Sequence, residues 1–382
     1  MIKKRLCLLI LLLSIYLTAC DTGNDITPSG KIVTIAYVGG EGEASTGRDQ
    51  DVLEGILAAN AADPMLDNGD HLEIKHSIQA GTEGGITKTI SGLIERDHIA
   101  AILLGASSKT TLQAKQDIDA MNIPTLAVIA SHPDITNEVA YISQLAFDDE
   151  QQAQSAALFV RDELVFRQAA VLFDDTDPHS SYLGQVFRTT FEQTGGQIDE
   201  FSVFSRLDQS MLERLKTEGT QIIYLPLESK QVFHVLEQLD IIDWQPDIMA
   251  SDGLLAGVLQ NNPEQLHKLN GMYVTDLYSH TDEFVSLAAF ARRITGFYEQ
   301  MFSEPPSSDT VLGVEAYQVI KRAINLCPDP GNAACVNRKI RSTENLQGII
   351  SRFSIGANGK ASRVVHINTL QDGKMKLVVR VN

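Results

Sequence analysis

The chain contains 382 residues, of which 43% are hydrophobic and 21% are charged, a composition typical of a folded protein. A single hydrophobic core stops growing at roughly 250–300 residues, so this length favours two lobes over one ordinary domain. With 49 acidic against 31 basic residues and a formal net charge of −18, the surface should repel nucleic-acid phosphates and anionic lipid headgroups, which argues against nucleic acid as a partner.

The N-terminus has the pattern of an export signal. Three basic residues precede an apolar run from Leu6 to Leu17, and small residues follow it. This run of 12 residues is too short for a permanent membrane span, which needs about 20. The segment from Leu17 to Cys20 resembles the bacterial lipobox, whose cysteine receives a lipid through its sulfur. We therefore predict a lipoprotein signal peptide over residues 1–19 and lipidation of Cys20. The alternative is a plain signal peptide with an incidental cysteine.

The predicted lipid anchor sets the expected location of the protein. Residues 20–30 are polar, contain Pro28 and Gly30, and are typical of a tether between fatty acyl chains, such as palmitate, and a folded body. We expect the protein on the periplasmic or extracytoplasmic side of the cell envelope. Asp21, directly after the cysteine, resembles the signal that retains some Gram-negative lipoproteins in the inner membrane.

Cysteine usage agrees with export. Cys7 leaves with the signal and Cys20 is lipidated, so Cys327 and Cys335 remain as an even pair. In an oxidising compartment this pair is predicted to form a disulfide that closes a short loop at the start of a helix. A metal site is the weaker alternative, because no histidine lies within several residues of either thiol.

From Lys31 onward, short apolar runs alternate with amphipathic stretches. Ile32–Val38 is rich in β-branched residues, as in a strand buried on both faces. Asp49–Ala62 has apolar residues at helical spacing and ends before Pro64. The next predicted elements are strand Leu72–Ile78, helix Ile86–Arg96, strand Ala100–Leu104, helix Lys109–Met121 and strand Thr125–Ile129. Such units fit one parallel sheet with right-handed crossovers.

The alternation restarts after Tyr141–Ser143 and predicts a second α/β sheet. The first half of this region is predicted as helix Asp149–Leu164, strand Gln168–Phe173, helix Ser180–Thr194, strand Gln197–Phe204, helix Met211–Thr217, strand Ile222–Leu225 and helix Lys230–Ile241. The second half is predicted as strands Ile248–Ala250 and Met272–Thr275, helices Glu283–Phe302 and Val311–Asn325, and strands Arg363–Asn368 and Lys376–Val381 about a hairpin turn at Asp372-Gly373. The predicted fold class is α/β, with two Rossmann-like lobes.

Motifs of common enzyme classes are incomplete in this sequence. After the first strand, Ser45 stands where a dinucleotide fingerprint needs its third glycine, and Arg48-Asp49 replaces the Lys and Ser/Thr of a phosphate loop. Asp174–Asp177 lacks the glycine and distal glutamate of a calcium loop, so a solvated turn is preferred. No HExxH or GxSxG motif is present. We therefore predict no cofactor, no metal and no enzymatic activity.

Polar residues follow three of the predicted strands. Ser107-Ser108 and Ser131 come after two neighbouring strands, and Asp252 follows a strand of the second sheet. Hydroxyls and helix N-terminal amides form a carboxylate-sized anion site, and the crevice at the carboxyl ends of two such sheets is where ligands bind. Serines that face an acid suit a zwitterion. The alternatives are that Ser107 and Ser108 only cap a helix, and that Ser131 and Asp252 are ordinary loop and turn residues.

In the order and spacing of these features, the chain from Lys31 to about Asn382 resembles the type I periplasmic binding proteins, specifically the branched-chain amino acid and amide group of ABC-transporter receptors. The residues that carry the resemblance are Gly39-Gly40, Asn60, Ser107-Ser108, Ser131-x-Pro133, Ser181-Tyr182-Leu183-Gly184, Ser251-Asp252-Gly253 and Glu315-Ala316-Tyr317. The resemblance implies a hinge of three crossings near Phe147, Asp276 and Gly348. Lobe I is then 31–147 and 277–347, and lobe II is 148–276 and 348–382.

The resemblance also implies roles for individual residues. Ser107, Ser108 and Ser131 would hold the α-carboxylate of the ligand, Asp252 would pair with its ammonium group, and Tyr182 would close over it from lobe II, the alternative for Tyr182 being simple packing. Residues 42–47 depart from the usual first loop of the family, and Glu228 takes the place of a frequent aromatic residue. An acidic residue there suits a polar or cationic ligand better than leucine.

The resulting hypothesis is an extracytoplasmic solute-binding lipoprotein. It would capture an amino acid or similar small polar solute in an interlobe cleft and present its closed form to an ABC permease. The alternative is a lipoprotein that senses for a kinase or regulates envelope enzymes, with the same fold used as a protein-interaction module. The changed first loop keeps this alternative open.

Overall fold

The computed structural model describes residues 30–40, 46–78, 85–255, 267–279, 289–303, 306–371 and 374–381. The predicted signal peptide, Cys20, nearly all of the tether, most of the first loop and the turn at Asp372-Gly373 lie outside these residues. Within the described part of the chain, no helix is long and apolar enough to cross a membrane.

The first lobe is built on a parallel sheet of five strands in the order β2-β1-β3-β4-β5. The inner strands β1 and β3 are almost wholly buried apolar residues, because helices cover both faces of the sheet. The elements are β1 (Ile32–Gly39), α1 (Thr46–Ala62), β2 (His71–Ser77), α2 (Gly85–Asp97), β3 (Ile102–Gly105), α3 (Ser108–Ala120), β4 (Thr125–Ala127) and β5 (Ile142–Gln144).

The second lobe contains five further parallel strands in the order β10-β9-β8-β6-β7. Its helix α4 ends earlier than predicted and continues as a π-helical turn, Phe159–Glu163. The elements are α4 (Asp149–Leu158), β6 (Gln168–Phe173), α5 (Pro178–Gln193), β7 (Gln197–Val203), α6 (Gln209–Glu218), β8 (Ile222–Leu225), α7 (Ser229–Ile241), β9 (Asp247–Ala250) and β10 (Tyr273–Asp276).

The last part of the chain returns to both lobes. Helices α8 (Ala289–Phe302), α9 (Ser308–Asn325) and α10 (Ala333–Ile340) are followed by strands β11 (Thr343–Gln347), β12 (Arg352–Ile355), β13 (Ala361–Ser362), β14 (Val365–Gln371) and β15 (Lys374–Val381). Helices α1 and α9 cross closely, since a Cβ on Gly55 or Gly313 would lie 2.1 Å from a carbonyl oxygen of the other helix. Glycine is therefore required at both positions.

The two-lobed α/β architecture agrees with the prediction, but the second sheet is mixed rather than parallel. Strands β14 and β15 are antiparallel and extend it beside β10. Strands β11, β12 and β13 form a small antiparallel sheet that the sequence analysis did not predict. Phe353, Ile355 and Ala361 of this sheet pack in the lobe I core, although residues 348–382 were expected in lobe II. This packing favours a third crossing near Arg363, and the exact division of the chain stays a prediction.

The predicted disulfide between Cys327 and Cys335 is confirmed. The two Cα atoms lie 6.0 Å apart, and both cysteines are buried in the lobe I core. The bridge connects the end of α9 to the first residues of α10, so it holds this helix pair together at its turn.

Candidate functional site

The structure brings the carboxyl ends of the two sheets together, and several predicted residues meet there. Ser108 is the first residue of α3, and its Oγ accepts hydrogen bonds from the backbone N–H groups of Ser131 at 3.1 Å and His132 at 3.3 Å. Ser108 therefore joins the ends of β3 and β4, and its hydroxyl proton remains to be donated elsewhere. Ser107 is the N-cap of α3 and is exposed, with its Oγ accepting from the Thr110 N–H at 3.3 Å. The alternative that these serines only cap a helix therefore applies to Ser107 but not to Ser108.

Asp252 lies on the lobe II side, directly after β9. The Gln152 Nε2 group donates to Asp252 Oδ1 at 2.8 Å and to Thr275 Oγ1 at 2.8 Å, so Gln152 ties the end of β9 to β10. The carboxylate is therefore held in place by its own lobe. The pairing of this group with a ligand ammonium stays a prediction.

His179, which the sequence analysis did not select, is at the centre of the site. The Asp177 side chain caps α5 by accepting from the backbone N–H groups of His179 and Ser180, which fixes His179 in the first turn. His179 Nδ1 lies 3.0 Å from Asp149 Oδ2 and 3.3 Å from Ser131 Oγ, and Nε2 lies 3.7 Å from Asp252 Oδ1. The imidazole thus stands between the lobe I serine and the lobe II acid.

His179 carries a positive charge in this environment. Burial alone would lower its pKa, but the Asp149 and Asp252 carboxylates outweigh burial and raise the pKa well above its ordinary value. Asp149 is wholly buried in the first turn of α4, where Asp148 is the N-cap. The helix N-terminus favours the negative charge of Asp149, so the pair is held as imidazolium and carboxylate.

Arg48 is the second residue that the sequence analysis did not place in the site. Its Nε and Nη2 atoms donate to the Asp309 carboxylate at 3.0 Å, and Nη2 lies 3.5 Å from Asp252 Oδ2. Asp309 is fixed in the first turn of α9 because Ser307 caps that helix. Since Arg48 and Asp309 belong to lobe I and Asp252 to lobe II, this contact crosses the cleft.

Two carboxyl groups in the cleft have displaced pKa values in opposite directions. Burial would raise the pKa of Asp252, but the hydrogen bond and charge of His179, with the charge of Arg48, hold it well below its usual range. Burial raises the pKa of Asp276 to about 7, against the hydrogen bond that Ser308 Oγ donates to it at 2.7 Å. Asp252 is therefore ionised, whereas Asp276 changes its charge near neutral pH.

The remaining predicted site residues differ in their surroundings. The Tyr182 ring stands edge-on to His132 with ring centroids 5.0 Å apart, so it contacts lobe I from lobe II. Glu228 is the exposed N-cap of α7, and its backbone N–H donates to Gln231 Oε1 at 3.3 Å. Among the described residues, no hydrogen bond or ion pair connects Glu228 with this polar cluster. The predicted binding role of Glu228 has no support from these contacts.

A further tyrosine on β8 lies near the same charges. Tyr224 is fully buried, its ring stacks on Phe187 at 4.2 Å, and its hydroxyl has no hydrogen-bond partner among the described residues. Burial, with the charges of Asp149 and Asp252, raises its pKa well above its ordinary value, so it remains a neutral donor. No group of residues suited to a metal ion is found in the described part of the chain.

Comparisons with known proteins agree with this geometry. No curated protein matches the sequence, whereas the family model described as "Periplasmic binding protein" matches residues 79–374. A leucine binding protein, LivK of Thermotoga maritima, is 21% identical, with 92% of this chain and 99% of that chain covered and a TM-score of 0.81. LivJ of Streptococcus pneumoniae, in complex with isoleucine, is 18% identical, with 91% and 99% covered and a TM-score of 0.78.

A third similar structure has a different ligand class. It is a solute binding protein of an ABC transporter from Rhodopseudomonas palustris in complex with 3,4-dihydroxy benzoic acid, 14% identical, with 92% of this chain and 97% of that chain covered and a TM-score of 0.77. At these identities the structures establish the fold, and the matched family model covers most of the chain. The chain therefore belongs to the periplasmic binding protein family and has its type I, two-lobed α/β fold.

Proposed function

We propose that the protein is an extracytoplasmic receptor that captures an amino acid or a similar small polar solute with a carboxylate group and delivers it to an ABC permease. One observation carries the proposal. In lobe I, the Ser108 hydroxyl accepts from the Ser131 N–H at 3.1 Å, and the Ser131 hydroxyl lies 3.3 Å from Nδ1 of the lobe II residue His179. A small anion seated there would touch both lobes at once.

The chemistry of this position suits a carboxylate. Among the described residues, the Ser108 oxygen accepts from two backbone N–H groups and no acceptor faces its hydroxyl proton. The N-terminus of α3 adds its partial positive charge, and the His179 imidazolium adds a full one. In this arrangement Ser108 and Ser131 donate to the carboxylate and His179 attracts it through its charge, while Tyr182 and His132 cover it from opposite lobes.

The ligands of similar structures support the solute class. The proteins of similar fold are named as leucine binding, as complexed with isoleucine, and as complexed with 3,4-dihydroxy benzoic acid. All three compounds are small and carry a carboxyl group. The shared group is the one that the donors of lobe I fit.

The location and partners follow from the same proposal. Lipid on Cys20 would hold the protein at a membrane surface outside the cytoplasm, with Asp21 favouring the inner membrane. From there the closed, solute-loaded form would dock on an ABC permease. No catalytic group is assigned, since the polar cluster holds its charges in fixed pairs and presents no nucleophile beside a free base among the described residues.

A second candidate is the protein-interaction module that senses or regulates without a small ligand. One observation favours it: Asp252 already has a cationic partner from each lobe, Arg48 and His179. A cleft filled by its own charges would need no solute to hold the lobes together.

Thermal unfolding of the full chain, purified in detergent, distinguishes the two candidates. The panel contains amino acids, amides, hydroxy acids and aromatic acids. A solute at one hundred times its dissociation constant should add about 2.7 kcal/mol to the free energy of unfolding, which raises the melting temperature. If no compound of the panel raises the melting temperature of the well-folded protein, the receptor function is rejected and the interaction module is favoured.

A single substitution tests whether the solute binds at the proposed position. Ser131→Ala removes one donor to the carboxylate, and the loss of a hydrogen bond to a charged group is worth about 1.5–3 kcal/mol. The dissociation constant should therefore rise roughly ten- to a hundredfold. Ser202→Ala on the edge strand β7 is the matched control and should bind as the unaltered chain does. An equal affinity of Ser131→Ala and the control would contradict the proposed position.

A further inference from the structure

One guanidinium nitrogen of Arg48 has no partner within the part of the chain that the structure describes. Nε and Nη2 are engaged by Asp309 and Nη2 also reaches Asp252, whereas no contact among the described residues uses Nη1. The Arg48 side chain as a whole is 22% exposed. Arg48 is thus anchored through two of its nitrogens and can still donate through the third.

Among the described residues, two cations already face the Asp252 carboxylate, so a ligand ammonium group would meet an acid whose charge is largely neutralised. Its Oδ1 accepts from Gln152 at 2.8 Å and lies 3.7 Å from His179 Nε2, and its Oδ2 faces Arg48 at 3.5 Å. A zwitterionic solute would bring a third cation to this carboxylate. Its ammonium group would lie close to the positive charges of Arg48 and His179, and like charges repel each other strongly in a partly buried site.

The unused hydrogen-bonding groups near Asp252 point to a different ligand chemistry. The donors are Arg48 Nη1 and the hydroxyl protons of Ser108 and Ser131, which suit a carboxylate. A buried acceptor without a partner among the described residues is the Oε1 atom of Gln152, whose Nε2 group binds Asp252. This amide oxygen is neutral, so it suits the hydroxyl group of a ligand better than a charged ammonium.

We propose that Arg48 is a specificity-determining residue and that the cleft takes a carboxylic acid with a neutral donor such as a hydroxyl in preference to the matched amino acid. This inference rests on the proposed receptor function and narrows its solute class. Arg48 holds the negative charge of Asp252 through an ion pair, and the Asp252 carboxylate is then unavailable to the solute. The carboxylate of the solute binds Ser108, Ser131 and Arg48 Nη1, and its hydroxyl donates to Gln152.

Matched pairs of solutes test the inference by calorimetric titration of the full chain. The probes are L-lactate with L-alanine, L-phenyllactate with L-phenylalanine, and mandelate with phenylglycine. The hydroxy acid of at least one pair should bind about tenfold tighter than its amino acid, since the ammonium group is repelled by the charges of Arg48 and His179. Tighter binding of the amino acids would overturn the inference and leave the receptor function standing. Binding of no acid in the panel would overturn both.

Two substitutions show whether Arg48 causes the preference. Arg48→Gln removes the cation and should lower the hydroxy-acid preference about tenfold or more, because Asp252 becomes free to pair with the ammonium group. Arg48→Lys is the conservative variant and should retain a preference of the same sign. An unchanged preference in a folded Arg48→Gln protein would overturn the role of Arg48.

A further variant keeps the test decisive if Arg48→Gln does not fold. Asp252→Asn removes one of the two carboxylates that face Arg48 and one of the two that face His179, so the positive charge near an anionic solute increases. The hydroxy acids should then bind several-fold tighter than they bind the unaltered chain, and the affinity of the amino acids should increase by a smaller factor. Loss of hydroxy-acid binding in folded Asp252→Asn would overturn the inference.

Discussion

The charge of the cleft depends on how deeply each carboxyl group is buried and on which cation faces it. Asp252 is kept ionised by Arg48 and His179, whereas Asp276 is only 4% exposed and receives hydrogen bonds from neutral groups, Ser308 and the Leu277 N–H. The charged groups around Asp276 are Asp252 and Asp309, which disfavour its ionisation, and Arg48, which favours it. The balance gives Asp276 a pKa near neutrality.

Replacement of Asp276 by asparagine should make the protein more stable at high pH. The folded-state pKa of about 7 lies above the ordinary value of 3.8, so the folded state holds the proton more tightly than the unfolded chain. Asp276 therefore adds stability as the pH falls from about 7 towards 4, and its ionised form lowers stability at pH 8 by up to roughly 4 kcal/mol. Thermal unfolding of Asp276→Asn should show a higher melting temperature than the unaltered chain at pH 8.

The same measurement at pH 5 and a control variant complete this test. At pH 5 the gain should nearly disappear, because the native Asp276 is then protonated. Asp117→Asn, on the exposed face of α3, should change the melting temperature by a similar small amount at both pH values. A gain for Asp276→Asn that does not depend on pH would mean that the carboxyl is ionised throughout.

At the residue level, proximity could be predicted from sequence where two residues follow neighbouring strands. Ser108 and Ser131 follow β3 and β4, which are adjacent, so their meeting follows from a parallel sheet alone. Arg48 and Asp252 are 204 residues apart and belong to different lobes. Their pairing depends on how the two lobes are oriented, and the hydrophobic periodicity of the sequence contains no information on that orientation. His179 and Asp149 lie at the start of predicted helices, and this position was the available indication in the sequence that they belong to the site.

At the level of elements, one buried ion pair connects α9 with the segment that leads into β14. The Glu315 carboxylate accepts from Arg363 Nη2, and its Oε1 accepts from the Ile349 N–H at 2.7 Å. The two side chains are 0% and 3% exposed, and the Arg363 guanidinium stacks on Phe353 at 4.2 Å. The pair therefore fixes the small antiparallel sheet against lobe I.

Removal of one partner of this pair should be strongly destabilising. Arg363→Met keeps most of the side-chain volume but leaves the Glu315 charge buried without its cation, which typically costs about 3–5 kcal/mol. Arg214→Met is the matched control, since Arg214 pairs with Glu200 and Glu218 on the surface, where a salt bridge is worth about 0–1 kcal/mol. Urea unfolding followed by circular dichroism measures both. A loss for Arg363→Met as small as that of the control would show that the pair does not hold the element in place.

Elements were predictable from sequence when their pattern was long or strongly apolar. Most parallel strands of the two large sheets and helices such as α7 were predicted within a few residues, because buried runs and amphipathic stretches alternate. The strands β11 to β13 were not predicted, since they are short and partly exposed and carry little apolar alternation. Their position depends on α9 and on the Glu315–Arg363 pair rather than on local preference.

For the whole molecule, the important feature is that charged and polar groups of the two lobes meet in the cleft. Arg48 pairs with Asp252 at 3.5 Å, Ser131 approaches His179 at 3.3 Å, and the Asp149 N–H donates to the Ser131 carbonyl at 3.1 Å. Polar contacts of this kind exchange readily with water and salt. Opening of the lobes therefore costs little free energy. A solute that bridges both lobes can then shift the population to the closed form.

Small-angle X-ray scattering of the full chain should detect this shift. A compact chain of this length has a radius of gyration of about 21 Å, and a solute that binds both lobes should lower the measured value by favouring the closed form. Without solute, 1 M salt shortens the screening length to about 3 Å, so the ionic contacts weaken and the radius should increase. Ser131→Ala at the same solute concentration is the control and should show a smaller decrease, because it binds less. If a saturating solute left the radius unchanged while the melting temperature rose, the solute would bind without hinge closure, and recognition of a closed form by the permease would have to be abandoned.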